Sequence, residues 1–256
     1  MGINFVEDAP REVQQFGDGD SVWGGMTQED VQHVAEIFNT PLTGSYNWDY
    51  RVADNRIQRL YELGKTLNWN GSLDVHWDQT PDWHEQTPIT PESVDEFLTN
   101  ADWTGYAPFD ALSTERKLEF FKHDFAWSLS QFLHGEQGAL LVASQLASCA
   151  PSFNAKLYAA SQTFDEARHV EVFNRYLQTK VGLSYPVNQG LKSLLDKILT
   201  DERWDLKFIG MQIVLEGLAL AAFHIAMNDT DDPVLKELLY LVIRDEARHV
   251  TFGVNY

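Results

Sequence analysis

Asp165-Glu166-Ala167-Arg168-His169-Val170 recurs without change as Asp245-Glu246-Ala247-Arg248-His249-Val250. Eighty residues separate the copies, a step too long for a solenoid repeat and natural for a duplicated helical hairpin. Each copy contains Glu-x-x-His. On an α-helix, residues three apart lie about 60° apart around the axis and about 4.5 Å apart along it, so carboxylate and imidazole point the same way. A single Glu-x-x-His is ordinarily a helix-surface pair; its duplication makes each copy half of a metal site.

The other halves stand thirty residues upstream of each glutamate, in apolar helical runs: Glu136 in FLHGEQGALLV and Glu216 in IVLEGLALAAF. Two antiparallel helices sharing a turn bring residues level only if both are equidistant from the turn. The midpoints are Pro151, in CAPS, and Asp231, in NDTDDP. Both carry turn and helix-start residues, with Pro233 suited to a first helical position after an aspartate cap. At about 1.5 Å per residue each arm is roughly 22 Å long, which sets the glutamates face to face deep inside each hairpin.

Four glutamates and two histidines thus converge from four helices, the ligand set of ferritin-like di-iron and di-manganese carboxylate bundles. Burying four unpaired carboxylates is prohibitive, and two divalent cations cancel them. Oxygen-rich ligands with one imidazole per metal suit iron or manganese better than zinc or copper. Glu136, Glu166 and His169 are assigned to one metal, and Glu216, Glu246 and His249 to the other. Asp165 and Asp245 are expected to accept from the outer imidazole N–H groups, with Arg168 and Arg248 neutralising them.

The rest of the composition bounds the reading. The chain has 256 residues, 44% of them hydrophobic, enough for one large α domain or a bundle with an appended region. Its formal charge of −19 argues against nucleic acid as a partner. A single cysteine, Cys149, excludes an internal disulfide framework and fits a reducing cytoplasm. No signal peptide is recognisable, and no uninterrupted apolar run reads as membrane-spanning. No glycine-rich phosphate loop sits in a strand-helix unit, which argues against a bound nucleotide or flavin.

Along the chain, residues 1–112 read as a Trp-rich segment of short helices and turns wrapping the bundle, and 113–256 as the bundle itself. Helices are expected from Thr27 to about Phe38, after Asp54 to near Gly64, and from Thr90-Pro91. The bundle helices are placed at 114–148, 152–179, 201–227 and from Pro233 past His249. A crossover at 182–190 and a short helix at 191–199 connect the hairpins. The short run beyond His249 points to further chain or to another subunit over that end. His134, His224 and Cys149 read as structural residues, and the tryptophans as core.

The doubled Asp-Glu-x-Arg-His resembles the signature of the oxygen-activating branch of the ferritin-like diiron-carboxylate superfamily. Residues 113–256 are similar to hydroxylase subunits of bacterial multicomponent monooxygenases, the pair Gly135-Glu136 included. They resemble more loosely the diiron N-oxygenases and ribonucleotide reductase small subunits. Three positions depart from those patterns. Phe173 replaces a radical tyrosine of the reductases, Leu220 a threonine of the monooxygenases, and Val242 a histidine of the N-oxygenases. The resemblance implies two iron ions, or manganese with iron, bridged by Glu166 and Glu246. It further implies dioxygen and an external electron donor, a ferredoxin or reductase.

Helix geometry puts Phe132, Ala139 and Leu140 beside Glu136, and Phe173, Gln212, Ile213, Ala219, Leu220 and Ile243 around the other ligands. These residues serve equally as an apolar substrate pocket or as plain bundle core. The expectation is therefore an all-α, ferritin-like four-helix bundle acting as a cytoplasmic diiron oxygenase on a small organic substrate, with a homodimer possible and no nucleic acid or membrane involved. The alternatives are a ferritin- or rubrerythrin-like iron oxidase or peroxidase, and a binding protein with a structural dimetal site.

Overall fold

The computed structural model describes residues 14–15, 35–85, 103 and 105–256. Its helices are α1 (Asn55–Thr66), α2 (Ala107–Asp110), α3 (Thr114–Cys149), α4 (Phe153–Tyr176), α5 (Gln189–Thr200), α6 (Trp204–Phe208), α7 (Glu216–Asp229) and α8 (Pro233–Asn255). Two π-helical stretches, Leu177–Val181 and Ile209–Leu215, extend α4 and join α6 to α7. Two residues of β1 (Gln14–Gln15) pair antiparallel with β2 (Leu183–Ser184), Gln14 opposite Ser184. The bundle consists of α3, α4, the continuous α6–π–α7 helix, and α8.

Both hairpin turns fall where equal arm lengths require. Ser152 caps α4 by accepting from Ala155 N at 3.3 Å, and Asp232 caps α8 by accepting from Leu235 N at 2.7 Å, with Pro233 at the first helical position. Asp54 caps α1 in the same way, accepting from Arg56 N at 2.8 Å. Ile57 and Leu60 form the buried stripe that seats α1 on α4 and α8. At the far end of α4, Gly182 takes a left-handed φ of 75°, which closes the π turn.

Three sequence expectations change. Of the helix expected to run to Phe38, residues 35–38 are not helical and the remainder lies outside the described residues, as does the helix expected at Thr90-Pro91. The third bundle helix starts at Trp204 rather than 201, because the Asp201 side chain accepts from Arg203 N at 2.8 Å and holds a turn there. Finally, Trp204–Asp229 forms one 26-residue helix, long and apolar enough to cross a bilayer by length and composition, with a mean hydropathy of 1.7 over its most apolar 18 residues. Reading residue by residue, Glu216 interrupts that run; in the structure Glu216 and Gln212 face into the bundle and leave Ile209, Ile213, Val214, Leu218 and Ile225 exposed outside, together with His224.

The π stretch also rotates that outer face. A wider turn adds a residue, so counting back three from Glu216 on α-helical geometry misplaces Ile213. Gln212 takes the interior position at 0% exposed, and Ile213 is 43% exposed. Gly253 on α8 permits the close approach this needs, since a Cβ there would stand 2.6 Å from the Gln212 carbonyl oxygen.

Candidate dimetal centre

All six expected ligands meet in the bundle centre, each at most 4% exposed. They form two overlapping groups: Glu136, Glu166, His169 and Glu246, and Glu166, Glu216, Glu246 and His249. Within each group one ligand atom per residue lies within 4.8 Å of all the others. The shared members are Glu166 and Glu246. Glu166 sets Oε2 3.3 Å from His169 Nδ1 and Oε1 3.1 Å from His249 Nδ1. Glu246 mirrors it, with Oε1 3.1 Å from His169 Nδ1 and Oε2 3.3 Å from His249 Nδ1.

Each outer glutamate serves one histidine. Glu136 Oε2 lies 3.1 Å from His169 Nδ1, and Glu216 Oε2 lies 3.7 Å from His249 Nδ1. The two imidazole rings are 6.0 Å apart. Two atoms about 2.1 Å from one cation and at right angles to each other lie about 3 Å apart, so these spacings fit cation ligands. Glu166 Oε2 and Glu246 Oε1 are buried and accept no hydrogen bond, which leaves lone pairs for a cation.

The electrostatics agree. Burial pushes Glu136 well above the ordinary carboxylate range, and the charge on Glu246 adds to the shift. Glu216 is raised by burial and then by Glu246 and Glu166. Burial also acts to raise Glu166 and Glu246, but the histidines outweigh it, holding Glu166 well below its usual range and Glu246 at about 2. For His169 and His249 burial favours the neutral form, yet the surrounding carboxylates hold both well above the usual histidine value. The four glutamates match the charge of two divalent cations, which displace protons from carboxyl and imidazole groups on binding.

Asp165, Arg168, Asp245 and Arg248 form a closed buried ring behind the histidines. Arg168 Nη2 donates to Asp165 at 2.6 Å and to Asp245 at 2.7 Å; Arg248 Nη2 donates to Asp165 at 3.0 Å and forms an ion pair with Asp245 Oδ1 at 2.8 Å. Each aspartate faces the histidine of the other copy: Asp245 Oδ2 lies 3.3 Å from His169 Nε2, and Asp165 Oδ2 lies 3.3 Å from His249 Nε2. With Nε2–H donating to aspartate, Nδ1 of each ring is left facing the carboxylates, as a metal-ligating nitrogen would be.

Sequence reasoning missed three supports. Trp69 Nε1 donates to Asp245 Oδ2 at 2.7 Å, and its ring lies under the Arg168 guanidinium at 4.6 Å. Asn68 Oδ1 accepts from Arg168 Nη1 at 2.6 Å. Gln162 Nε2 donates to Glu166 and Glu216 at 3.0 and 2.8 Å. For Asn68 and Trp69 no repeat or spacing signals the role. Gln162 carried a signal, since it stands one helical turn before Glu166 and on the same face.

Of the residues named around the ligands, Phe132 and Phe173 pack with Phe223, their ring centres 4.8 to 6.0 Å apart. Ala219 and Ile243 join the same cluster, Ala139 belongs to a second core cluster, and Leu140 and Leu220 are half-buried. Ile213 is the exception, turned outward by the π stretch. A groove of about 620 Å³ opens elsewhere, between Leu133, His134 and Gln137 of α3 and Lys192, Leu195 and Asp196 of α5, and none of those nine residues lines it. His134 Nε2 lies 2.8 Å from Tyr185 O, and His224 Nδ1 lies 2.7 Å from Leu220 O; neither joins the cluster. Cys149 is a buried free thiol.

Fold and cluster together define a ferritin-like helical bundle whose buried carboxylates and histidines are able to hold a dinuclear metal centre. Among solved structures the chain is similar to the R2-like ligand-binding oxidase from Sulfolobus acidocaldarius, with TM-score 0.50 and 18% identity over 81% of this chain and 72% of that one. It is also similar to a glycine-to-phenylalanine mutant of an R2-like ligand-binding oxidase with an anaerobically reconstituted Mn/Fe cofactor, with TM-score 0.49 and 18% identity over 79% and 73% of the two chains. The first likeness shows the fold. No protein-family model and no curated protein matches the sequence.

Proposed function

We propose that the protein is a dimetal oxidase that activates dioxygen with electrons from an external donor, a ferredoxin or reductase, and hydroxylates or otherwise oxidises a small organic substrate. One observation carries this reading: Glu166 and Glu246 each set one oxygen beside His169 and the other beside His249. Glu136, Glu166, Glu246 and His169 would hold one cation, and Glu216, Glu166, Glu246 and His249 the other. Two irons, or manganese with iron, would pass the donor's electrons to dioxygen and offset the charge it gains.

The chain's own part is positional. Asp165 and Asp245 hold the Nε2 protons and keep both Nδ1 atoms turned to the carboxylates. Phe132, Phe173 and Phe223 pack into one apolar cluster, which would exclude water and contact an apolar substrate. The net charge of −19 suits a soluble, cytoplasmic protein and a basic electron donor rather than nucleic acid or a membrane surface. Ile209, Leu218 and Ile225, exposed on the third bundle helix, support a homodimer. The test is a single turnover: reduced, iron-loaded protein mixed with dioxygen should show a transient absorbance change and consume oxygen. Inertness with both irons bound would sink the reading.

A further inference from the structure

The two copies of the repeat agree through the ligands and diverge one turn upstream. Four and eight residues before Glu166 stand Gln162 and Tyr158; the same steps before Glu246 reach Val242 and Leu238. All four are at most 1% exposed. Helices α4 and α8 run antiparallel here, since Tyr158, before Glu166, packs its ring 4.4 Å from Phe252, beyond Glu246. The unequal turns therefore lie at opposite ends of the cluster. The Glu216 and His249 end contains a buried amide, whereas the Glu136 and His169 end meets aliphatic and aromatic side chains.

Gln162 Nε2 is 2.8 Å from Glu216 Oε1 and 3.0 Å from Glu166 Oε1. The amide nitrogen, not its oxygen, faces both carboxyl groups. Both amide protons are thus committed to carboxylates on different helices, while Gln162 Oε1 accepts nothing. This fixes the rotation of Glu216 and turns its Oε2 toward His249. Among the described residues no side-chain amide donates to Glu136; its polar contact is His169 Nδ1 at 3.1 Å.

We propose that Gln162 is a positioning residue that makes the two cation positions unequal: the position at Glu216 and His249 is pre-formed and fills first, and the one at Glu136 and His169 fills second. The inference rests on the dimetal reading. Two effects of the amide oppose each other. Donating to a carboxylate draws charge from it and weakens its hold on a cation, whereas fixing its rotation removes an ordering cost on binding. Orientation wins, because removing such outer partners typically costs about 10- to 100-fold in metal affinity.

The test titrates the full chain, stripped of metal by a chelator, with Mn2+ followed by native mass spectrometry and with Co2+ followed by visible absorption. Two resolved steps are expected, with distinct Co2+ spectra. Gln162→Val, which copies the α8 residue, should weaken the first step about 10- to 100-fold and the second, which shares only Glu166 with it, by clearly less. Gln162→Met keeps the side-chain length and should do the same, with far-UV circular dichroism confirming the fold for either variant. A purely packing role would instead lower thermal stability and weaken both steps alike, and that result overturns the proposal. So does binding of both cations in one unresolved step by the unaltered protein. Uptake of fewer than two cations would sink the dimetal reading itself.

Discussion

Asp245 accepts from His169, an imidazole belonging to the other copy of the repeat, at 3.3 Å, and the exchange is returned by Asp165 and His249 at the same distance. The crossing ties α4 to α8 through the candidate metal ligands themselves. Asp245→Asn keeps the shape but removes the charge, leaving Arg168 and Arg248 to share Asp165. Breaking a buried ion pair from one side costs about 3–5 kcal/mol, because a guanidinium is left uncompensated. Urea unfolding should show a loss of that order. A loss below about 1 kcal/mol, the size of an ordinary hydrogen bond, would mean that the ring contributes little.

Trp69 reaches the same aspartate from outside the bundle helices, donating Nε1–H at 2.7 Å. Trp69→Phe retains most of the ring and removes that donor. A hydrogen bond to a charged group contributes about 1.5–3 kcal/mol, so stability should fall within that range. Metal affinity should fall too, since Asp245 orients His169. Urea unfolding and a Mn2+ titration check the two effects; unchanged affinity would show that Arg168 alone suffices to hold Asp245 in place.

Removal of metal should reveal the charge imbalance that cations offset. A cation at 100 times its dissociation constant stabilises the folded state by about 2.7 kcal/mol, so Mn2+ should raise the melting temperature of chelator-treated protein. Glu136→Gln removes one of the four central carboxylates. Because burial already disfavours the ionised form of Glu136, the metal-free variant should be no less stable than the unaltered protein. It should, however, bind only one cation and show a smaller rise in melting temperature. A full rise with two cations bound would remove Glu136 from the ligand set.

The sequence and the structure meet most closely where symmetry constrains both. Glu136, Glu166, Glu216 and Glu246 were legible because equal spacing about Pro151 and Asp231 admits one level for each pair, and the caps at Ser152 and Asp232 hold the turns there. Legibility ends where symmetry does. Asn68 and Trp69 approach from residues outside the repeat, and long-range contacts of that kind leave no local periodicity. The π stretch before Glu216 was equally silent: Ile213 sits on the inward face of an ideal helix, and only the packing of Gly253 against Gln212 shows the wider turn that expels it. The crossed Asp–His pairs follow from the twofold relation between α4 and α8, which spacing along one helix does not encode.

The loop before Trp77 offers a pH dependence independent of the metal centre. His76 Nδ1 lies 2.8 Å from Glu237 Oε1, and its backbone N–H donates to Oε2 at 2.8 Å, fastening the loop to α8. The hydrogen bond to Glu237 raises the His76 pKa, its charge adds to the shift, and Asp78 and Asp74 contribute in the same sense. A histidine whose folded pKa exceeds its unfolded value of about 6.5 stabilises the fold fully below that value and loses the contribution as pH rises through the folded pKa. The melting-temperature advantage of the unaltered protein over Glu237→Gln should therefore be largest near about pH 5.5 and shrink toward about pH 8.5. A residue of it should persist through the backbone bond. The pair is solvent-exposed, so about 0.5 M salt should flatten the difference. Parallel melting curves across that range at low salt would show that the ion pair is not formed in solution.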